Sequence, residues 1–200
     1  MSDFDWRPAL DQAAEFLSDY QEPPYLGDYP DAAVALAITN GAEPKLLVTQ
    51  RPSHMKIHPG ECAFPGGKWE SGDDNMLATA TREMEEEVGI PRELFSPMGE
   101  LRQRRSRSKI RVHSFVGTIP ENLPLKLSPA EVAHAFFVPL QHLKDFNNYE
   151  YQMVEYQGKP RPYLAIHYQQ FKIWGLTAAI TLDLMNTVFD ANLPIDASRR

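Results

Sequence analysis

Glu83, Glu86 and Glu87 are the residues of this chain best placed to do chemistry. They stand in the run Thr81 to Ile90, beside Arg82. At helical spacing the three carboxylates fall within an arc of roughly 100°, and Glu85 points away from them. A like-charged i,i+4 pair such as Glu83/Glu87 costs a helix roughly 0.2–0.5 kcal/mol. A hard divalent cation, which prefers oxygen ligands, would offset that repulsion. Leu77, Ala80, Met84 and Val88 form a neighbouring apolar stripe, so one helix can pack on a sheet and hold its carboxylates at the rim. A solvated acidic face is the competing reading. Gly66-Gly67 ahead of the helix weighs against it, because glycine lets a ligand approach the backbone closely. Pro65 stiffens the entry, and acidic residues continue at Glu70, Asp73 and Asp74. Asp73 and Asp74 are explained equally well as helix N-caps.

A second group of candidates precedes the glycines. The segment Leu46 to Gly67 ends a strand with Arg51, then passes through His54, Lys56 and His58 to Gly60. A cationic loop leading into an acidic metal site suits a phosphorylated substrate, the cations taking the anion and the metal the reacting oxygens. Downstream, Arg102, Arg104, Arg105, Arg107, Lys109 and Arg111 place six cations within ten residues. They form either a solvated hairpin edge or a clamp for an anionic substrate group. No aromatic residues interleave with them, which disfavours an RNA surface. Glu131 is the outlying acid suited to a further metal ligand or general base. Cys62 reads as a small buried residue rather than a nucleophile, and the six histidines show no metal-ligand spacing.

These residues carry two resemblances. Phe64 to Ile90 resembles a Nudix box: a glycine, a spacer with an acidic residue, then Arg-Glu-apolar-x-Glu-Glu-x-Gly-apolar. Arg82 to Ile90 match the second half residue for residue. The spacer is one residue longer than the general pattern, and Asp73 or Asp74, depending on the end counted from, stands in place of glutamate. Leu46 to Gly67 is similar to the signature of the coenzyme A pyrophosphatase branch of Nudix enzymes. Leu46, Leu47, Thr49, Arg51, Gly60, Phe64, Pro65, Gly66 and Gly67 fit, with Val48 as an extra residue. Lys56 stands where arginine is usual, Pro52 where serine or alanine is usual, and Ser114 where proline is more common. Glu131 to Leu143 and Ile173 to Ile180 also look like the branch.

The resemblance implies an α/β fold, the Nudix α/β/α sandwich with a mixed β-sheet between helices. It implies Mg²⁺- or Mn²⁺-dependent hydrolysis of the diphosphate of coenzyme A or an acyl-CoA, giving 3′,5′-ADP and 4′-phosphopantetheine or its acyl form. Glu83, Glu86 and Glu87, with a carbonyl of Gly67, would hold the metal. Glu83 or Glu131 would take a proton from water, and Arg82 would hold a helix carboxylate in place. Arg51, Lys56 and the Gly66-Gly67 backbone would contact substrate phosphate, and Arg105 and Arg107 a further phosphate. The acidic site alone does not separate coenzyme A from ADP-ribose, an oxidised nucleoside triphosphate or a capped RNA. A non-catalytic nucleotide sensor on the same fold stays open as well, although a pure binder needs no such acidic trio.

Bulk properties set the frame. Two hundred residues suggest one domain, expected over residues 31–192, with an N-terminal helix and proline-rich arm at 1–30 and a tail at 193–200. The net charge of −7 argues against general nucleic-acid affinity. A single cysteine excludes an intrachain disulfide and suits the cytoplasm. The first residues lack the basic and apolar regions of a signal peptide, and no apolar run approaches the ~20 residues of a membrane span. The N-terminal helix and arm could pack on their own domain or on a second subunit, leaving a homodimer open.

The elements that must position the candidates follow from periodicity. A helix is expected at Pro8–Tyr20 and strands at Ala32–Thr39 and Lys45–Arg51, forming a hairpin. A short strand at Glu61–Phe64 leads to the glycines, and the acidic helix spans Asp74–Val88, stopped by Gly89 and Pro91. Strands are expected at Met98–Arg104, Ile110–Ile119 and Glu131–Pro139, then a helical turn to Lys144. A hairpin of Tyr149–Tyr156 and Tyr163–Tyr168 turns at Gly158–Pro162, and a helix at Trp174–Phe189 closes the chain.

Overall fold

The structure, a computed structural model, describes residues 6–18, 31–106, 108–156, 158–191 and 193. The expected Gln21–Pro30 arm, Arg107 and the tail from 194 lie outside the described residues.

Two strands organise the molecule. β1 (Asp31–Thr39) and β2 (Lys45–Gln50) are short apolar runs buried along most of their length, as expected of strands covered on both faces. β1 lies parallel to β6 (Arg111–Ile119) along its whole length. Its other edge is divided. Ile38 pairs with Leu46 of β2, whereas Ala32, Ala33 and Val34 pair with β4 (Gly66–Lys68). β2 continues to β3 (Cys62–Ala63) and β7 (His134–Pro139), and β6 to β5 (Ser96–Arg105), completing a mixed seven-stranded sheet. The β1–β2 hairpin expected from the sequence is therefore present but splays, and the gap admits the glycine strand.

The period-two alternation of β1 assigns its side chains to two cores. Ala33, Ala35 and Ala37 face α2 (Met76–Val88), packing with Ala80, Met84 and Val88. Leu36 and Ile38 face the opposite core, with Leu46, Val48, Val116 and residues of α1 (Arg7–Ser18) and α4 (Gly175–Thr187). Within α1, Ala13 and Leu17 are buried, and Trp6 just before it meets the Phe189 ring edge-on at 5.6 Å. A second, antiparallel sheet of β8 (Tyr149–Tyr156), β9 (Lys159–Tyr168) and β10 (Phe171–Trp174) follows the short α3 (Leu140–Lys144). α4 touches β5 of the main sheet and β9 and β10 of the second, which accounts for its burial on several sides.

Several elements differ from the sequence reading. β7 starts at His134 rather than Glu131, leaving Glu131 in the preceding loop, β5 starts at Ser96 rather than Met98, and β10 was not expected. β4 was not expected, since glycine has low strand propensity; it is a strand because β1 offers an open edge. α2 starts two residues later than expected, with Asn75 rather than Asp73 or Asp74 as its N-cap, accepting from the Ala78 N–H at 2.9 Å. The β8–β9 turn is tighter than Gly158–Pro162, since Lys159 already pairs with Tyr156. Pro160 and Pro162 are tolerated in β9 because β10 pairs only with Ala165 to Tyr168, leaving that edge open beside the prolines. Trp174 ends β10 instead of opening the last helix. Among the described residues, no helix is long and apolar enough to cross a membrane.

Candidate active site

The edge of α2 that carries the carboxylates lies against β4. A Cβ on Gly67 would stand 2.3 Å from Oε1 of Glu83, and a Cβ on Gly66 would stand 2.3 Å from the Ala33 carbonyl oxygen. Glycine is thus required twice, once to seat the strand on β1 and once to let Glu83 reach it. The helix ends at Gly89, whose φ of 73° gives the left-handed cap, with its N–H donating to the Glu85 carbonyl at 2.9 Å. Two further terminal carbonyls, of Glu87 and Val88, accept from Ser128 and Lys126, each at 2.9 Å. The loop that caps the helix in this way also carries Glu131, whose charge acts on Glu83 and Glu87.

The three glutamates sit at different depths. Glu87 is buried, and its Oε2 has no hydrogen-bond partner. Burial pushes its carboxyl up to about 8, reinforced by the charges of Glu83 and Glu131 and opposed by Arg51 and a Gly66 backbone hydrogen bond. Burial also raises Glu83, against the pull of Arg82. The Glu86 side chain is 55% exposed. Glu85 turns outward and pairs with Arg92 at 2.8 Å, as its helical angle requires.

Arg82 is the hub. Its Nη1 donates to Glu83 at 2.9 Å and to Glu86 at 3.4 Å, and its Nη2 donates to the Lys68 carbonyl at 3.2 Å. The remaining contacts go to Asp73, from Nε to Oδ1 at 2.9 Å and from Nη2 to Oδ2 at 3.1 Å. Asp73 also accepts from the Thr79 hydroxyl at 2.8 Å and the Glu70 N–H at 3.1 Å. The Arg82 hydrogen bonds hold its carboxyl well below the usual range. Sequence spacing left Asp73 as a cap or a variable acid. Its role as anchor of Arg82 depends on the loop folding back over nine residues, which periodicity does not reveal.

The upstream candidates divide. Arg51 directly follows β2, its N–H donating to the Glu61 carbonyl at 3.0 Å to close the loop, and its charge reaches Glu87. Lys56 stands exposed on that loop. Cys62 is buried, and burial pushes its thiol up to about 11, so it is no nucleophile at neutral pH. The cationic run does not act as one patch. Arg104 makes a two-point pair with Asp183 of α4, and Arg111 does so with Asp31, so these two staple the fold. Arg105 is exposed at the end of β5.

Among the described residues, no three His, Cys, Asp or Glu side chains converge as a closed metal cage, and Arg82 engages Glu83 and Glu86. The donor set nevertheless fits a hard cation. Three carboxylates share one helix edge, and the buried Glu87 Oε2 lacks any partner, an arrangement that a bound charge would satisfy.

The NUDIX domain family matches residues 28–157. The chain belongs to the Nudix hydrolase family. Nudix hydrolases act on diphosphate bonds and generally use divalent metal ions. An uncharacterized Nudix hydrolase NudL of Photorhabdus laumondii subsp. laumondii is 40% identical over 157 residues, covering 78% of this chain and 84% of that protein. The uncharacterized Nudix hydrolase NudL of Yersinia pestis (strain Pestoides F) is 39% identical over 158 residues, covering 78% and 79%. A solved MutT/nudix family protein from Enterococcus faecalis superposes with a TM-score of 0.55 at 17% identity, covering 88% of this chain and 69% of that one. Its likeness is one of fold. The segment that resembles the Nudix box runs from β4 through α2.

Proposed function

We propose that this Nudix hydrolase cleaves the diphosphate of coenzyme A or an acyl-CoA, releasing 3′,5′-ADP and 4′-phosphopantetheine or its acyl form. The observation that carries the reading is the placement of Arg51, from the upstream segment similar to coenzyme A pyrophosphatases, within electrostatic reach of the buried Glu87. One element thus offers a cation to phosphate at the spot where the acidic helix turns inward.

Residues 31–192 form the catalytic unit in this reading. Glu83, Glu86 and Glu87, with the Gly67 carbonyl, would hold Mg²⁺ or Mn²⁺. When bound, the cation stabilises charge on the phosphoryl oxygens and acidifies a water molecule. Arg82 fixes Glu83 and is itself fixed by Asp73. Arg51 and Lys56, with the Gly66-Gly67 backbone, would take a substrate phosphate, and Arg105 and Arg107 would take the nucleotide's remaining phosphate. Glu83 or Glu131 accepts the proton of the attacking water as the bridging P–O bond breaks and the second phosphate leaves.

The test is product analysis by mass spectrometry on a panel of coenzyme A, acetyl-CoA, ADP-ribose and an oxidised nucleoside triphosphate, with and without Mg²⁺. Metal-dependent 3′,5′-ADP and phosphopantetheine support the proposal. Turnover of ADP-ribose without turnover of coenzyme A would reassign the substrate, and binding without turnover would make the protein a sensor.

A further inference from the structure

Trp69 is a large aromatic side chain left 48% exposed immediately after the glycine strand. Scattered surface tryptophans need no explanation, but this one is held at two points. Its backbone N–H donates to the Asp31 carbonyl at 3.1 Å, and its indole Nε1–H donates to the Asp73 carbonyl at 3.2 Å. The single polar atom of the ring is therefore satisfied, and the exposed remainder is a flat π-face with nothing to hydrogen-bond.

Its address is equally specific. Gly67, two residues earlier, is the position against which Glu83 packs. The carbonyl of Lys68, one residue earlier, accepts from Arg82. Asp73, which takes the indole proton through its backbone, holds Arg82 through its carboxylate. The ring thus stands one residue beyond the reacting cluster, on the side of the first turn of α2. Asp31, which fixes its backbone, also pairs with Arg111 at the turn end of the β5–β6 hairpin, so the cationic end of that hairpin lies beside it.

We propose that Trp69 is the platform on which the base of the nucleotide half of the substrate stacks. This rests on the reading of the site as one for nucleoside diphosphate derivatives, and it assigns that half to the Trp69 side of the cluster. An immobilised ring loses little rotamer freedom when a base settles on it, and stacking accepts any base because each has a π-face.

Two measurements test it. The first is steady-state kinetics of Trp69→Leu and Trp69→Phe on the diphosphate substrate found by the panel. Leucine should raise KM by about 10-fold, the size of one lost base–aromatic stack, with the loss falling chiefly on KM. Phenylalanine keeps a ring and should recover most of it. The second is tryptophan fluorescence with adenosine 5′-monophosphate as probe and no metal. The nucleotide should quench wild-type emission, ribose 5-phosphate should not, and Trp69→Phe should abolish the quench although Trp6 and Trp174 remain. A quench that persists in Trp69→Phe, or a KM unchanged by leucine, overturns the platform. If no diphosphate is hydrolysed but the quench behaves as stated, the platform stands and the hydrolase substrate assignment falls.

Discussion

Arg82 and Asp73 meet at two points, Nε to Oδ1 at 2.9 Å and Nη2 to Oδ2 at 3.1 Å, with side chains 12% and 4% exposed. The pair converts a surface-seeking arginine into a fixed bracket under the carboxylates. It is also a planar, two-pronged contact that lysine cannot reproduce.

Removing the bracket should cost both fold and function. Asp73→Ala leaves a mostly buried guanidinium without its main partner, which should destabilise the protein by about 3 kcal/mol. Because the Asp73 carboxyl is held below its ordinary value, it binds fewer protons folded than unfolded. Its contribution is full above the ordinary carboxylate range and is lost as pH falls. Denaturant titrations across acid pH should show the wild type losing stability more steeply than Asp73→Asn.

Glu87 should behave in the opposite sense. Its folded carboxyl sits near 8 against an ordinary 4.5, so between those values the folded chain holds a proton that the unfolded chain has released. Stability of the metal-free protein should therefore fall as pH rises through that window and level off above it. Cation binding requires the ionised form, so it should release a proton at about pH 6.5 and tighten as pH rises. Calorimetry in two buffers of different ionisation enthalpy reads the proton. Identical heats in both buffers, once corrected for dilution, would sink the idea.

Neutral isosteres separate ligation from folding. Glu86→Gln and Glu87→Gln should each lower metal-dependent kcat roughly 100-fold or more, the scale of lost charge stabilisation at the phosphoryl oxygens. Both should stay folded, and Glu87→Gln should match or exceed the wild type in metal-free melting at alkaline pH. Full activity in both variants would refute the assigned ligands.

The two glycines of β4 should fail differently when changed to alanine. At Gly67 the new methyl meets the Glu83 carboxylate, a flexible side-chain end. The fold should survive while activity drops about 10- to 100-fold from misplacement. At Gly66 the methyl meets the Ala33 carbonyl, and because backbone must move, stability should fall by about 2 kcal/mol. Thermal melts beside kinetics distinguish them, and equal melting temperatures would show that the clashes are relieved alike.

The acidic helix α2 was legible because one period governs both of its faces. The spacing that buries Ala80, Met84 and Val88 also sets Glu83, Glu86 and Glu87 on one edge and sends Glu85 outward to Arg92. β4 was not legible, since two glycines carry no strand signal and the strand exists only through its partner. Nor were the roles of Arg104 and Arg111, whose carboxylate partners lie 79 and 80 residues away. A charge run in sequence records proximity along the chain, whereas these two side chains stand on different strands, β5 and β6, and leave for different neighbours. Glu131 was singled out by residue type and resemblance. What brings it to the site is the backbone of Lys126 and Ser128 capping α2, a contact without side-chain specificity.

The alanines of β1 carry a consequence for how such a protein can drift. Ala33, Ala35 and Ala37 act as a shim between sheet and helix, and their methyl thickness sets how deep the carboxylates ride. Exchanging one for valine would alter no residue of the segment resembling the Nudix box, yet it would lift the whole row of carboxylates together. A descendant could therefore lose its catalysis, or change its metal, with every signature residue intact, and the trace would be written in a strand outside the signature.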